Sequence, residues 1–227
     1  MKGLLVLSNG MEDIEALGTR DLLERATIQI ETISFNRDKR VKTAFGVFVE
    51  ADYLAREINQ EDYDFLIIPG GKYVSQVIDT DKNIKALVKD FTESKRLVCA
   101  ICAGPMFLGE QGLLEGKTYT MFPAAHKDAY KGIYQKDKKA VKDGLLITGR
   151  GAGAVFEFAY EIIKYLKGEA VAKKVLDDTT YWTINAWQPH YLWYNRKCAL
   201  DGRLEKRLTH MPFTHAFTGS NPVSVTI

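Results

Sequence analysis

The chain has 227 residues, of which 46% are hydrophobic and 26% charged, and this composition excludes a disordered or fibrous protein. The 31 basic and 29 acidic residues leave a net charge of +2, which is too small for a general attraction to nucleic acid or acidic membranes. No apolar run reaches the roughly 20 residues of a membrane-spanning helix, and the apolar start is too short for a secretory signal. The composition therefore predicts neither nucleic-acid nor membrane partners.

The cysteines indicate the cellular compartment. The chain has 3 of them, Cys99, Cys102 and Cys198. An odd number, in a chain large enough to build its own core, implies no disulfide framework. We therefore expect a cytoplasmic protein.

Short, almost continuously apolar segments recur along the first part of the chain, with helical patterns between them. Strands of this kind are buried on both faces, and their alternation with helices is typical of a parallel sheet. The sequence therefore predicts an α/β fold with a doubly wound parallel sheet sandwiched by helices. The predicted strands are Leu4–Leu7, Ile28–Ile33, Phe65–Ile68, Leu97–Ile101 and Leu145–Thr148.

Helical and turn patterns fill the segments between these strands. Apolar residues at helical spacing predict helices over about Asp13–Arg25 and around Ile84–Phe91. Phe45–Val49 follows a basic turn and indicates a small β excursion before the third strand. The glycine-rich turn Gly151–Gly153 leads into a last core helix, which is expected to end near Gly168.

The composition changes after about Asp178. This divides the chain into a body, residues 1–178, and an aromatic, basic carboxy-terminal extension, residues 179–227. The extension holds all 3 tryptophans of the chain and every histidine but His126. It could dock on the body, form a partner surface or be added sequence, and its role stays open. The spacing of its histidines does not match a metal site.

The most informative segment is the apolar strand that runs into Cys102. Small residues flank this cysteine, and Gly104 lies where a sharp turn needs conformational freedom. A strand that turns abruptly into a helix projects the residue at the turn above the carboxyl edge of the sheet, as in a nucleophile elbow. The amino terminus of the helix then favours the thiolate, which is the reactive form.

Cys102 has other interpretations. A free cysteine is often only a small buried hydrophobe. Together with Cys99 it also forms a C-x-x-C motif, which occurs in dithiol redox pairs and in halves of zinc sites. Cys99 lies inside the apolar strand, however, and the chain has no second cysteine pair. We therefore interpret Cys99 as a core residue and predict no metal site.

The ends of neighbouring parallel strands should lie beside this cysteine, because ligands bind at that edge of such sheets. Glu15 follows the first strand, and a protonated carboxyl group there could hydrogen-bond the sulfur and lower the pKa of the cysteine. Alternatively, the acidic run that contains Glu15 only complements a helix dipole. Gly70 and Gly71 follow the third strand, and their N–H groups could face an oxyanion or simply form a turn.

These segments together resemble the DJ-1/PfpI family, in particular its DJ-1-like branch. The order and spacing of the matching segments extend over roughly residues 1–175, which is the whole body. The A-I-C-A-G-P segment is specific in this context. The matching segments are Glu12–Glu15, Ile67–Gly71, Ala100–Pro105, Thr148–Gly153 and Phe156–Phe158.

The resemblance implies a flavodoxin-like sandwich that forms a homodimer. It also implies that Cys102 is the reactive cysteine, that Glu15 is its protonated partner, and that Gly71 and Ala103 supply backbone N–H groups. Family members are described as cofactor-independent enzymes acting on methylglyoxal and related α-oxoaldehydes, as deglycases, as oxidation sensors or as chaperones. No cofactor is therefore expected.

The chain departs from the family pattern beside the nucleophile. The peptidase-like branch has a histidine directly after its nucleophile, but this chain has Ala103, so a protease is not expected. The DJ-1 branch often has a histidine before a proline after the next strand, where this chain has Phe122 and Pro123. His126 is a possible auxiliary group there, or only a surface residue.

The leading hypothesis is a glyoxalase-like or deglycase-like enzyme. The Cys102 thiolate adds to the aldehyde of a small α-oxoaldehyde, Glu15 relays the proton that gives a hydroxyacyl thioester, and water releases the hydroxy acid. The rival hypothesis is an oxidative-stress sensor or redox-regulated chaperone, in which Cys102 is oxidised to the sulfinate. An inert structural homologue is the third possibility.

Overall fold

The computed structural model describes residues 1–181. Residues Met1–Thr179 form one compact unit. The predicted extension, residues 179–227, lies outside the described residues apart from its first three positions, and so does Cys198. Among the described residues, no helix is both long and apolar enough to cross a membrane.

A mostly parallel sheet of seven strands forms the centre of this unit, and two small two-stranded sheets accompany it. Many of its strands are buried throughout, because hydrophobic side chains fill both of their faces. The strands are β1 Lys2–Leu7, β2 Gln29–Ser34, β3 Arg40–Lys42, β4 Phe48–Glu50, β5 Tyr53–Leu54, β6 Phe65–Ile68, β7 Leu97–Ile101, β8 Thr118–Tyr119, β9 Ile133–Tyr134, β10 Ala140–Asp143 and β11 Leu146–Gly149.

The strand order in the large sheet is β10-β11-β7-β6-β1-β2-β5. Every neighbouring pair is parallel except β10 with β11. The strands predicted from the sequence are the consecutive inner ones, β11, β7, β6, β1 and β2, so the predicted α/β fold is confirmed. In this order the carboxyl ends of β1, β6 and β7 meet at one edge of the sheet.

Helices flank the sheet. Helix α5 packs on β11 and β10 and also contacts α1 and α6, whereas α3 packs on β7 and β6 and contacts α4. The predicted helical face of α3 is confirmed, because Ile84, Leu87, Val88 and Phe91 are all buried. The helices are α1 Thr19–Arg25, α2 Lys72–Val77, α3 Asn83–Glu93, α4 Met106–Gly109, α5 Val155–Lys167 and α6 Glu169–Asp178.

The predicted β excursion before β6 is an antiparallel hairpin of β3 and β4. Its turn is bonded to the loop after β1, because the Asp13 carboxylate accepts hydrogen bonds from the Thr43 hydroxyl at 2.7 Å and the Phe45 N–H at 3.3 Å. The hairpin therefore has a fixed position next to the segment that carries Glu15. Phe45 at its tip is 76% exposed.

Candidate active site

Cys102 directly follows β7 and adopts a left-handed backbone conformation, with φ of 62°. This conformation is uncommon for a residue with a side chain. Neighbouring segments hold it in place, since the Cys102 N–H donates to the Gly149 carbonyl at 2.8 Å and the Cys102 carbonyl accepts from the Phe122 N–H at 2.9 Å. The expected sharp turn is therefore present, and Cys102 is the residue that bears its strain.

Gly104 has a different role from the one expected. The left-handed conformation of the turn falls on Cys102, whereas Gly104 allows a close approach of backbone segments. A Cβ atom at Gly104 would lie 2.6 Å from the Ile68 carbonyl oxygen and 2.9 Å from that of Ile101. A side chain at this position would therefore force β6 and the elbow apart.

The helix after the elbow is shorter than expected. Turns occupy residues 102–105, and α4 begins only at Met106 and ends at Gly109. Such a short helix, separated from the sulfur by a turn, has little dipole to offer a thiolate. The Ala103 N–H provides the favourable contact instead, because it hydrogen-bonds the Cys102 sulfur.

Glu15 lies in a π-helical turn, Ile14–Gly18, that precedes α1. π-helical turns often occur at functional sites. The side chain is only 1% exposed, and its carboxyl group is hydrogen-bonded to the Cys102 sulfur. The carboxyl also accepts from the Gly70 N–H at 2.8 Å and from the Ala152 N–H. The structure therefore brings Glu15 and Cys102 together.

The surroundings of Glu15 favour its protonated form. Burial is the main reason that its pKa rises from the usual 4.5 to about 7. The negative charge of Glu12 raises this pKa further, while the hydrogen bonds from Cys102, Gly70 and Ala152 oppose the rise. Glu12 also positions the residue, because its carboxylate accepts the Glu15 N–H at 2.7 Å.

The pKa of Cys102 moves upward, opposite to the direction expected for a cysteine at a helix amino terminus. Burial is the largest cause, and the neighbouring charge of Glu15 adds to it, while the Ala103 N–H lowers the pKa. Two negative charges in contact are unfavourable, so the pair keeps one shared proton once the first has left. The thiolate forms in this pair only when Glu15 holds that proton.

Gly70 and Gly71 separate into two roles. The Gly70 N–H is donated to Glu15 and is therefore engaged with the carboxyl group, which differs from the expected contact with an oxyanion. Gly71 has φ of 117°, and a Cβ atom there would lie 2.4 Å from the Gly10 carbonyl oxygen, so this position requires glycine. The roles of the Gly71 and Ala103 N–H groups toward a substrate oxygen remain predictions.

His126 is half-buried in a separate cluster of side chains. Its Nδ1 lies 3.0 Å from the Tyr119 hydroxyl, its ring stacks on Tyr134 at 4.0 Å, and its Nε2 lies 3.3 Å from an Asp128 carboxylate oxygen. These contacts engage both ring nitrogens and one face. None of them reaches Cys102 or Glu15, and the auxiliary role of His126 remains a prediction.

Comparison with known proteins identifies the family. The model of the DJ-1/PfpI family matches residues 1–165. This range contains the whole cluster around Cys102. The chain belongs to the DJ-1/PfpI family.

Relatives and solved structures agree with this assignment. Protein dj-1beta of Drosophila melanogaster is 31% identical over 173 residues, covering 76% of this chain and 92% of the relative. Its crystal structure matches with a TM-score of 0.74 at 29% identity, covering 80% of this chain and 98% of that chain. A protein of Pyrococcus abyssi named a deglycase is 29% identical, covering 74% of this chain and all of the relative. The structure of oxidized DJ-1 from Toxoplasma gondii matches with a TM-score of 0.71 at 28% identity, covering 80% and 99% of the two chains.

This DJ-1/PfpI site contains two contributors that sequence reasoning missed. Ala152 donates its backbone N–H to Glu15, and Gly151 lies beside the Cys102 sulfur. Both contribute only backbone, so no reactive side chain drew attention to them. The signal was the glycine-rich segment Thr148–Gly153, which matches the family but has no chemistry of its own in sequence.

No metal cluster accompanies the DJ-1/PfpI site in the part of the chain that the structure describes. Over residues 1–181, no group of three or more histidine, cysteine, aspartate or glutamate side chains could hold a metal ion. Cys99, the other member of the C-x-x-C motif, is fully buried and is therefore a core residue as predicted.

Replacing Gly70 with alanine should disrupt the DJ-1/PfpI site. A Cβ atom at Gly70 would lie 2.6 Å from the Cys102 Cβ, 2.7 Å from a Glu15 carboxyl oxygen and 2.8 Å from the Ala103 nitrogen. Such overpacking costs about 1 to 3 kcal/mol, and we expect urea denaturation to show that loss in the free energy of unfolding.

Gly153→Ala is the matched control for Gly70→Ala. A Cβ atom at Gly153 would have nothing within 4 Å. Its free energy of unfolding should therefore stay within about 0.5 kcal/mol of the wild-type value. Equal losses in the two variants would contradict the close packing of Gly70 against the reactive pair.

Proposed function

We propose that this DJ-1/PfpI protein is a cysteine-dependent, cofactor-independent enzyme that converts small α-oxoaldehydes, or their adducts, to hydroxy acids. The observation that carries the proposal is the buried Glu15 carboxyl hydrogen-bonded to the Cys102 sulfur. A buried acid with a pKa near neutrality can both accept and return a proton at physiological pH. Cys102 is partly exposed, and the proposal requires that a small aldehyde reaches its sulfur.

The first step forms a bond between the sulfur and the aldehyde carbon. The Cys102 sulfur attacks the aldehyde carbon as its proton passes to the Glu15 carboxylate, and Glu15 returns this proton to the aldehyde oxygen, which gives a hemithioacetal. Glu15 then takes the proton of the former aldehyde carbon and delivers it to the neighbouring carbonyl carbon, while the hydroxyl proton moves to the oxygen of that second carbon. The product is a 2-hydroxyacyl thioester, formed without any net oxidation.

Water completes the cycle. It attacks the thioester carbon, the carbon–sulfur bond breaks, and the hydroxy acid leaves while the thiol–carboxyl pair recovers its proton. The developing oxyanion needs preorganised donors, and the Ala103 and Gly71 N–H groups are the candidates. Methylglyoxal would yield lactate by this route, with water as the only other reactant.

The same chemistry extends to adducts. The Pyrococcus abyssi relative is named a deglycase. An adduct of an α-oxoaldehyde with an amine or thiol presents a carbon at the same oxidation level as the aldehyde, so attack by Cys102 with loss of the amine or thiol enters the same hydroxyacyl thioester route. A protease is not proposed, because Ala103 follows the nucleophile and no histidine contact to Cys102 occurs within residues 1–181.

The experiment is a turnover assay with methylglyoxal. Purified protein is incubated with methylglyoxal, and lactate is measured by an enzyme-coupled assay before and after alkylation by iodoacetamide. We expect lactate formation that stops when peptide mass spectrometry locates the alkyl group on Cys102. Absence of lactate, or lactate formation that persists with Cys102 alkylated, contradicts the proposal.

An oxidation sensor is the second candidate function. Cys102 is partly exposed and touches a carboxyl group that can hydrogen-bond the oxygens of a sulfinate. The Toxoplasma gondii structure is described as oxidized. Two equivalents of hydrogen peroxide would convert the thiolate to the sulfinate and release two waters. Ready sulfinate formation at Cys102 without lactate formation favours this function.

Both functions suit a reducing cytoplasm, where Cys99 and Cys102 stay free thiols.

The exposed tip of the β3–β4 hairpin is the surface that we propose for a homodimer. Phe45 and Val47 in the turn and Phe48 at the start of β4 are 76%, 50% and 53% exposed, which places three apolar side chains together on the surface. Phe45→Glu should place a charge in the interface and convert the dimer to a monomer in sedimentation velocity. Ile133→Glu, at a residue 55% exposed on β9, is the control that should remain dimeric. A monomeric wild-type protein, or a Phe45→Glu dimer, contradicts the proposed surface.

A further inference from the structure

The space beside the Cys102 sulfur is bounded by an aromatic ring. Gly151 has no side chain, and a Cβ atom there would lie 3.9 Å from the Cys102 Sγ and 4.0 Å from the Phe122 Cδ2. A methyl-sized space over the Gly151 backbone is therefore bordered by both the sulfur and the ring edge. A group that is bonded to the sulfur and occupies this space contacts the Phe122 ring.

Phe122 is held at this place by its backbone and leaves its ring exposed. Its N–H donates to the Cys102 carbonyl at 2.9 Å, and Pro123 begins a short 3-10 turn directly after it. The residue is 47% exposed, although an aromatic ring gains by leaving water. The hydrogen bond from the Phe122 N–H fixes the backbone of this residue beside Cys102. The side chain takes no part in that bond, so its ring is available for contact with a ligand.

The wall that Phe122 forms is apolar. His126, the nearest histidine along the chain, is engaged with Tyr119, Tyr134 and Asp128 in a separate cluster. The Cys102 sulfur and the Phe122 ring are the atoms that a Cβ atom at Gly151 would meet within 4 Å. An aromatic wall of this kind discriminates by the size and aromatic character of a substrate.

We infer that Phe122 is a specificity-determining residue that selects α-oxoaldehydes bearing an aryl group over those bearing a methyl group. The inference rests on the proposed function and names its preferred substrate class. Hemithioacetal formation at Cys102 places the group R of R–CO–CHO beside the sulfur, where an aryl ring can stack on Phe122. The overall conversion adds one water to R–CO–CHO and gives R–CH(OH)–COOH, so phenylglyoxal yields mandelate.

The test compares phenylglyoxal with methylglyoxal in initial-rate assays of the full chain. Phe122→Ala should lower kcat/KM for phenylglyoxal about tenfold and change kcat/KM for methylglyoxal less than about twofold. Phe122→Tyr keeps the ring and should retain the wild-type ratio of the two values. Phe122→Leu keeps apolar bulk without the ring and should fall between the other variants.

Tyr165→Ala is the matched control. Tyr165 is a ring of similar exposure, 42%, on α5, and its removal should leave both kcat/KM values unchanged. An unchanged ratio in Phe122→Ala, or equal losses for both substrates, overturns the assignment of Phe122 while the proposed function stands. Absence of methylglyoxal turnover in the wild-type protein overturns the proposed function itself, and the assignment with it.

Discussion

Replacing Cys102 with alanine is expected to lower kcat/KM for lactate formation from methylglyoxal by more than about 10³-fold, because the substitution removes the sulfur that bonds to the aldehyde carbon in the proposed mechanism. Alanine retains the Cβ atom and the left-handed backbone, with φ of 62° at this position, so the fold should be preserved. The measurement is the rate of lactate formation at saturating and limiting methylglyoxal, together with circular dichroism of the variant.

Cys99→Ala is the matched control for Cys102→Ala. Cys99 is fully buried in β7 and has a pKa raised by burial, so it stays a neutral thiol. The substitution removes one buried sulfur and should cost about 1 kcal/mol of unfolding free energy while activity persists. Lactate formation that survives in Cys102→Ala, or disappears equally in Cys99→Ala, contradicts the assignment of the nucleophile.

The central part of the sheet was predictable because a strand that is buried on both faces has a continuously apolar sequence. β6 and β7 are apolar at every position and buried at every position. The edge strands lack such a continuous apolar run. β5 has only two residues, and β10 contains Lys142 and Asp143, since an edge is paired on one side and partly faces solvent.

The helix after β1 shows where periodicity is insufficient. The apolar spacing predicts one helix over Asp13–Arg25, but the structure has a π-helical turn, Ile14–Gly18, before α1. The turn shifts the buried face, because the apolar Ile14 is 56% exposed whereas Glu15 and Thr19 are buried, so the apolar spacing does not reveal it. The π-helical turn ends at Gly18, where the chain packs closely on α5. A Cβ atom at Gly18 would lie 3.2 Å from a Val155 methyl group.

The proximity of Cys102 and Glu15 was predictable, whereas the electrostatics of the pair were not. Cys102 and Glu15 carry chemistry and follow strand ends that must meet at one sheet edge. The direction of the cysteine pKa depends on burial and on contact with a second acid, which are properties of the folded chain. The hydrogen bond from the Ala152 N–H to Glu15 could not be predicted either, because almost any residue type can supply a backbone N–H group.

Replacing Glu15 with glutamine is expected to lower kcat/KM about 10²- to 10⁴-fold, because glutamine keeps the shape of the side chain but cannot relay a proton. The wild-type profile should rise with pH through about 7, where the pair loses its first proton and one proton remains to be shared with Cys102. The variant should lack this inflection. The measurement is the pH dependence of kcat/KM for methylglyoxal, and an unchanged inflection near neutrality contradicts the role of Glu15.

The same substitution should change how stability depends on pH. The pKa of Glu15 rises from 4.5 to about 7 on folding, so the folded protein holds this proton more tightly than the unfolded chain does. The stabilisation is complete below pH 4.5 and is lost as the pH rises through 7, a loss of about 3 kcal/mol in the free energy of unfolding. Glutamine is neutral throughout, so Glu15→Gln should be less pH-sensitive by most of this amount in urea denaturation at about pH 5 and about pH 8.5. Parallel pH dependences in the two proteins would show that Glu15 is ionised in the fold as readily as in water, and a proton relay to Cys102 would then lack its physical basis.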